Sequence, residues 1–274
     1  MRPQPMPLSL QPMQCVYSWP SLTPRSPQSG NALAQRDLNW GRHYYRQGQL
    51  DKALPRFEAA LYAYRQMAST VGMGQSLNGL SAVYLRQENY GRSLAYSQAA
   101  AAILEDAQAP SDYALALYQL GLSHWRLEQL SQAERCFDQA LALYHRLGER
   151  TYENRVLLSL GQLYAQQGKC LFALACYESV LDHLFDNPTQ DNLQDLLDAV
   201  LRAMLQLCTQ TKSGTAAIAS YQTLLQHRIP ADYHQQIAHL IQQLGQFHEL
   251  QQHYRLALEC YAQALQTIPP VELA

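Results

Sequence analysis

Charged residues are scarce in this sequence, and lysine is almost absent. Only 15% of the 274 residues are Asp, Glu, Lys or Arg, and the formal net charge is −2. The three lysines are outnumbered by 17 arginines, so the chain lacks the broad basic surface of a nucleic-acid-binding protein. The polar faces must be covered largely by the 34 glutamines.

Long apolar runs are also missing. The longest, residues 170–177, spans eight residues, whereas a membrane-spanning helix needs roughly 18. Seven prolines interrupt residues 1–33, which leaves no apolar core for a signal peptide. We expect a soluble, cytoplasmic protein with no membrane insertion and a disordered arm at residues 1–33. A transit segment and a misassigned start are the alternatives for that arm.

Sequence signatures of catalysis are absent. The chain contains no Gly-x-Ser-x-Gly, no phosphate-binding loop and no His-Glu-x-x-His. Gly72-Met73-Gly74 lacks the third glycine of a dinucleotide loop, and we interpret it as a joint between helical hairpins. The sequence therefore predicts a protein that is not an enzyme and binds no cofactor.

Cysteine and histidine do not follow metal-site spacings. Cys136, Cys176 and Cys260 each precede an aromatic residue at an equivalent place in the chain, which favours packing over a disulfide. One helical face requires a spacing of three or four, but the C-terminal histidines are five apart. These pairs are His234 with His239 and His248 with His253. We predict no metal site.

A repeat of about 40 residues organises the chain. Its units align on Gly41, Ser81, Gly121, Gly161, Leu205 and Gly245, at intervals of 40, 40, 40, 44 and 40. Within each unit, apolar residues recur at helical spacing over two stretches separated by a break. Each unit is therefore predicted to be a helical hairpin. Because one hairpin cannot bury both faces, the hairpins must stack.

The order of residues within a unit identifies a family. A large apolar residue and a glycine are followed by a small residue, an aromatic and Ala-Leu. The clearest example runs from Leu244-Gly245 through Ala257, Tyr261 and Ala264-Leu265 to Pro269. This order resembles the tetratricopeptide repeat over about residues 34–269, in its long-period subgroup. The resemblance implies an all-α, right-handed solenoid of about six stacked hairpins, although unit two lacks the glycine and the aromatic.

Helix stop signals suggest the boundaries. We predict four regular units at residues 34–186, and two further units with a short tail at residues 187–274. Few residues follow the last hairpin, so its final apolar face would lack the polar cap that such arrays normally need. We therefore expect a homo-oligomer or a docked partner at this C-terminal end.

The resemblance also implies a concave surface lined by the first helix of each unit. Counting Gly41 as position 8, positions 2, 5, 9, 12 and 13 face it. Arginines and aromatic rings share these positions in units one to three, whereas amides dominate later units. Such a surface suits a segment that carries a carboxylate beside an apolar anchor. The predicted partner contacts are Arg42, Tyr45, Arg46, Asn78, Leu85, Arg86, Tyr118, Leu122, Trp125, Arg126 and Gln162.

The predicted function is a non-catalytic scaffold for complex assembly that binds a segment of another protein, with an acidic segment as the candidate partner. The alternative is a peptide-responsive regulatory repeat protein. The arginines at position 13 have a second interpretation. A cation is common at this position in the family, where it solvates the end of the helix. The chaperone-binding clamp of the family is not predicted, because Asn78 is displaced by one residue and the clamp lysine of unit three has no counterpart.

Overall fold

A computed structural model describes residues 27–186 and 193–210, together with isolated helical residues between 242 and 262. Regular structure in this part of the chain is entirely helical, which confirms the predicted all-α, right-handed solenoid. The helices are α1 (Pro27–Arg46), α2 (Leu50–Gln66), α3 (Thr70–Arg86), α4 (Tyr90–Asp106), α5 (Pro110–Arg126), α6 (Leu130–Leu147), α7 (Arg150–Gln166), α8 (Cys170–Asp186) and α9 (Leu193–Gln210).

Short turns of nearly constant geometry separate α1 to α8. Each contains one residue in the left-handed region, and these residues recur every 20 positions with φ between 51° and 74°. The next backbone N–H bonds back to the carbonyl five residues earlier, as in Gln49 to Tyr44 at 2.9 Å. This is a Schellman-type helix end, and it divides the 40-residue repeat into equal halves. The seven residues are Gly48, Ala68, Glu88, Gln108, Glu128, Gly148 and Gly168.

The helices form two layers. Each odd-numbered helix pairs with the next even-numbered one as a hairpin, and each even-numbered helix also packs on the following hairpin. The odd-numbered helices touch one another in sequence, from α1 through α3, α5 and α7 to α9. They therefore make the inner layer of the solenoid, with the even-numbered helices outside it.

Aromatic rings on the outer helices fill the space between the layers. Phe137 on α6 is fully buried against Gly121 of α5, where an added Cβ would lie 2.7 Å from the ring. Phe57 meets Gly41 and Tyr177 meets Gly161 in the same way. The cysteines that precede such rings, Cys136, Cys176 and Cys260, are buried free thiols, which confirms them as packing residues.

Unit two replaces the glycine and the ring with serines. Ser81, Ser93, Ser97 and Ser123 are all fully buried and hydrogen-bonded. The hydroxyl oxygen of Ser93 lies 3.1 Å from that of Ser81 and 2.8 Å from that of Ser123, which joins α3, α4 and α5. Hydrogen bonds thus occupy a site where units one, three and four pack a ring.

Two boundaries differ from the sequence prediction. Helix α1 begins at Pro27, so the last seven residues of the expected arm are helical. The interpretation of residues 72–74 as a joint is wrong, since α3 already begins at Thr70. Gly72 and Gly74 are buried in that helix, because Tyr64 and Leu104 pack where their side chains would be.

Much of the C-terminal third lies outside the described residues. Four complete hairpins and the first helix of a fifth are described. Unit six is described only at isolated residues, and the five C-terminal histidines and the tail at 270–274 lie outside the described part. The domain division beyond residue 186 and the oligomer at that end therefore stay predictions.

Candidate functional site: the inner wall

The exposed face of α1, α3, α5 and α7 is called the inner wall here. These four helices carry seven arginines and three acidic residues. The four helices outside them carry six basic and nine acidic residues. A chain with a net charge of −2 therefore concentrates positive charge on its inner layer.

Each acidic residue of the inner helices contacts a side chain of another helix. The contacts are Asp37 with Arg56 at 2.9 Å, Asp112 with Gln75 at 2.8 Å, and Glu153 with His145 at 2.9 Å. With seven arginines against three acidic residues, the four inner helices together carry a net positive charge.

Tyr45 and Arg86 join the first two units. The Arg86 guanidinium lies 4.7 Å from the centre of the Tyr45 ring and donates a hydrogen bond of 2.8 Å to the Tyr45 main-chain oxygen. That oxygen belongs to the last turn of α1, where it also accepts a hydrogen bond from the Gly48 N–H at 3.0 Å. Arg86 therefore also contacts the C-terminal end of α1. A role at a helix end was the second interpretation of the arginines at position 13.

Trp125 makes an equivalent connection between units three and four. Its indole N–H donates to Gln166 at 2.6 Å, and its ring meets Phe137 edge-on at 6.4 Å. The Arg126 guanidinium lies 5.3 Å from the indole centre. The half-buried indole is thus held in place, with part of its surface open to solvent.

Tyr118 links α5 to α7 in the middle of the wall. Its hydroxyl lies 3.1 Å from the Ser159 hydroxyl, and its ring packs 5.9 Å from that of Phe137. Burial raises the pKa of Tyr118, and the Ser159 hydrogen bond and the charge of Arg155 oppose that rise. Burial likewise raises the pKa of Tyr45, opposed by Arg86 and Arg155.

Asn78 does not lie on the inner wall. Its side chain is only 3% exposed, and its amide nitrogen donates to the main-chain oxygen of Asp112 at 3.0 Å. Asn78 therefore connects α3 to α5 inside the structure, because a short side chain at position 5 falls between neighbouring helices. It is corrected from a partner contact to a packing residue.

The remaining predicted contacts occupy two environments. Arg46, Arg126 and Gln162 are exposed. Leu122 is half-buried and packs against the core around Phe137, while Arg42 and Leu85 are also half-buried. The inner wall thus brings together rings from α1 and α5 and cations from four helices.

Sequence reasoning missed Arg155 and Ser159. The same alignment places Arg155 at position 2 of unit four, where earlier units carry Gln35, Gln75 and Leu115. The change of residue type at that concave position was the available signal. Ser159 follows one helical turn later, on the same face of α7.

Two other kinds of site were sought in the described residues. No group of three or more His, Cys, Asp or Glu side chains within them could hold a metal ion. Across the same part of the chain, none of the helices is long and apolar enough to cross a membrane.

Comparison with known proteins identifies the repeat. A family model described as tetratricopeptide repeat matches residues 32–106 and 112–184, which together exceed half of the chain. A search of curated proteins found no significant match.

Solved structures of similar fold come from proteins of different roles. Aspartyl phosphate phosphatase F from Bacillus subtilis has 13% identity and a TM-score of 0.58, over 88% of this chain and 61% of that one. A Rap protein complexed with Competence and Sporulation Factor has 15% identity and a TM-score of 0.58, over 86% and 64%. A putative kinesin light chain with nearly identical TPR-like repeats, from Podospora anserina, has 15% identity and a TM-score of 0.53, over 82% and 98%.

These identities support a likeness of fold alone. The chain spans less than two thirds of the length of the first two proteins.

Proposed function

Because the chain belongs to the tetratricopeptide repeat family, we propose that its inner wall binds an extended or helical segment of another protein. The chain then acts as a non-catalytic scaffold in the assembly of a complex. The proposed contacts are Arg42, Tyr45, Arg46, Leu85, Arg86, Tyr118, Leu122, Trp125, Arg126 and Gln162.

The observation that carries this proposal is the separation of charge between the layers. The inner helices carry seven arginines and three acidic residues, whereas the outer helices carry six basic and nine acidic residues. Electrostatic complementarity steers a partner and selects it by charge. The wall therefore favours a segment with acidic residues.

The rings supply the apolar part of the contact. Tyr45 and Trp125 are half-buried, and each is held by a neighbouring unit through Arg86 or Gln166. Aromatic side chains held in place before binding lose little entropy on association, which is why rings often dominate binding energy. An acidic segment with an aliphatic or aromatic anchor fits this wall.

A peptide-display selection on the full chain tests the proposal. Fifteen-residue peptides selected on the wild-type protein are expected to bind the Trp125→Ala variant at least about tenfold more weakly, since a buried aromatic anchor contributes about 2 kcal/mol or more. Tyr62→Ala is the matched control, because Tyr62 is a ring on outer helix α2 that is 68% exposed. Its affinity for the same peptides should stay at the wild-type level.

Two results would contradict the proposal. One is that no peptide is enriched on the wild-type chain. The other is that the selected peptides bind Trp125→Ala and the wild type equally well.

A peptide-responsive regulatory protein is the alternative function. The fold likeness to a Rap protein solved with a bound factor favours it. In that case, saturating peptide should change the pitch of the solenoid and therefore its small-angle scattering profile. An unchanged profile at saturation would leave the passive scaffold as the function.

The predicted self-association at the C-terminal end has a separate test. Light scattering at high protein concentration should give a mass above 31.0 kDa. A monomer at every concentration would contradict it.

A further inference from the structure

One side of α1 carries a stripe of exposed residues. They are spaced three and four apart, so they lie on one face of the helix. Together they line a pocket of about 490 Å³, a volume within the usual range of ligand sites. These residues, which we call the end face, are Ala32, Gln35, Arg36, Asn39, Trp40 and His43. Only Gln35 shares a repeat position with the inner wall, so the end face is a separate surface.

Later inner helices bury the equivalent face against the preceding hairpin. Trp40 corresponds to Leu80 of α3, which is 1% exposed, and to Leu160 of α7, which is 4% exposed. His43 corresponds to Val83 of α3, which is fully buried. Trp40 itself is 45% exposed, and no hairpin of the described residues covers the end face. The first unit therefore leaves open the surface on which later units stack.

The end face does not suit a further hairpin. Asn39 corresponds to Gly79 of α3, and a Cβ added at Gly79 would lie 2.4 Å from the ring of Phe57. Asn39 thus holds another helix away at the point where α2 and α3 pack closely. Arg36 corresponds to Ser76, which is fully buried, and an unpaired arginine there would lose its hydration. An extended segment leaves Arg36 in water and needs no such close approach.

Aromatic rings stand at the centre of the end face and are held in place. Trp40 stacks on Tyr44 with ring centres 5.6 Å apart, and His43 meets Trp40 edge-on at 5.5 Å. Tyr44 in turn packs against the core around Phe57, and the Lys52 ammonium of α2 lies 5.8 Å from its ring centre. Fixed rings of this kind bind extended proline-containing segments, which lose little conformational entropy on binding.

A segment of this chemistry precedes α1 in the same chain. Residues 16–22 read Val-Tyr-Ser-Trp-Pro-Ser-Leu and carry no charge. Trp19 lies eight residues before Pro27, the first residue of α1, so the chain between them reaches up to about 26–29 Å when extended. Trp40 lies about 20 Å beyond Pro27 along the helix axis. The segment is therefore long enough to turn back along α1 and contact Trp40.

We propose that residues 16–22 bind the end face of their own chain, with Trp19 and Pro20 packed on the ring of Trp40. The segment then covers the first unit, as a preceding hairpin covers each later one. A short tether favours this occupant over a free partner, because it gives an effective concentration in the millimolar range. The proposal concerns a surface outside the inner wall and does not depend on the proposed function.

Hydroxyl-radical labelling of the full chain, read by peptide mass spectrometry, tests the contact at Trp40. Trp19→Ala should raise the labelling rate of Trp40 by about threefold or more, since a tethered segment of submillimolar affinity occupies its site most of the time. Labelling of Tyr62 on α2 should not change and serves as the internal reference, because that ring is 68% exposed. Leu8→Ala is the matched control, since it removes an apolar side chain that precedes residues 16–22. It should leave Trp40 protected.

A synthetic peptide of residues 14–24 supplies a second measurement. Added in excess to the Trp19→Ala protein, the wild-type peptide should bring the labelling rate of Trp40 back toward the wild-type value. The same peptide with the Trp19→Ala change should not. Protection in the wild-type chain should also stay constant over a roughly hundredfold range of protein concentration, because a contact within one chain does not depend on mass action.

Two results would overturn the proposal. If Trp40 is labelled equally fast in the wild type and in Trp19→Ala, residues 16–22 do not cover the end face. If protection grows with protein concentration, a second copy of the chain is the occupant. Neither result bears on the inner wall, whose test is the effect of Trp125→Ala on peptide binding.

Discussion

Four of the residues in the left-handed region carry side chains, namely Ala68, Glu88, Gln108 and Glu128. L-residues with a Cβ pay a steric penalty there that glycine avoids. Gly48 and Gly168 occupy the same position in other turns, at φ 74° and 73°. The turns therefore differ in strain while sharing one geometry.

Glu88→Gly should raise the stability of the protein. The change removes the steric cost at φ 58°, and we expect a gain of about 0.5–1 kcal/mol in the free energy of unfolding. Thermal unfolding followed by circular dichroism measures it. Gln87→Gly is the control, because Gln87 has φ −81° and no steric strain is relieved there. Glycine at this position only increases the conformational entropy of the unfolded chain, so the free energy of unfolding should fall. An unchanged or lower melting temperature for Glu88→Gly would contradict the prediction.

The cysteines should differ in reactivity. Burial, followed by the charge of Asp138, raises the pKa of Cys176 to about 11. At pH 8 its thiolate fraction is then on the order of one in a thousand, and only the thiolate reacts. Iodoacetamide should label half-exposed Cys170 well before Cys176, as read by peptide mass spectrometry. Equal rates for the two thiols in the native protein would show that Cys176 is accessible.

At the scale of the helices, glycines near the rings control how closely α5 and α6 approach. Gly121→Ala would place a Cβ 2.7 Å from the Phe137 ring, and overpacking of this kind costs about 1–3 kcal/mol. Gly91→Ala is the matched control, since its Cβ would meet no atom within 4 Å. Alanine favours the helix there by up to about 1 kcal/mol.

Urea unfolding of both variants tests whether packing against Phe137 requires a glycine at position 121. Gly121→Ala should unfold at a lower midpoint than wild type, and Gly91→Ala at an equal or higher one. If both changes have the same effect, close packing against Phe137 is not what requires the glycine.

The helices could be predicted from the sequence because the same pattern of apolar residues recurs in each unit. Hairpins, the small residue opposite each ring and the buried cysteines all follow from a periodic apolar pattern. The serine network of unit two was not predictable, since Ser81 and Ser93 satisfy each other only after α3 and α4 have packed. The beginning of α1 at Pro27 was missed because a proline is tolerated at the first position of a helix.

The candidate site was predictable in part. The alignment placed Tyr45, Arg86, Tyr118 and Trp125 on one side, since equivalent positions of stacked hairpins face the same way. It could not separate buried Asn78 from its exposed neighbours, because burial depends on how closely α3 approaches α5. Nor could it reveal that Arg86 donates to a main-chain oxygen.

At the scale of the whole molecule, the charged inner layer predicts salt-dependent binding. The association rate of an acidic peptide from the display selection should fall severalfold between about 0.01 M and 0.15 M salt, as the Debye length shrinks from about 30 Å to about 8 Å. The same peptide with Asn or Gln in place of the acid should respond less. Stopped-flow fluorescence measures both rates, and equal salt dependence would argue against electrostatic steering by the wall.

The regular 20-residue spacing of the turns has a consequence for insertions and deletions. One residue added inside a helix rotates everything beyond it by about 100°, which would carry inward-facing side chains onto the opposite side. An addition within a connection leaves both flanking helices in register. The extra residues between units four and five fit this rule, since α8 ends at Asp186 and α9 begins only at Leu193. Length variation among relatives of this chain should therefore fall between helices, or come as whole hairpins of 40 residues.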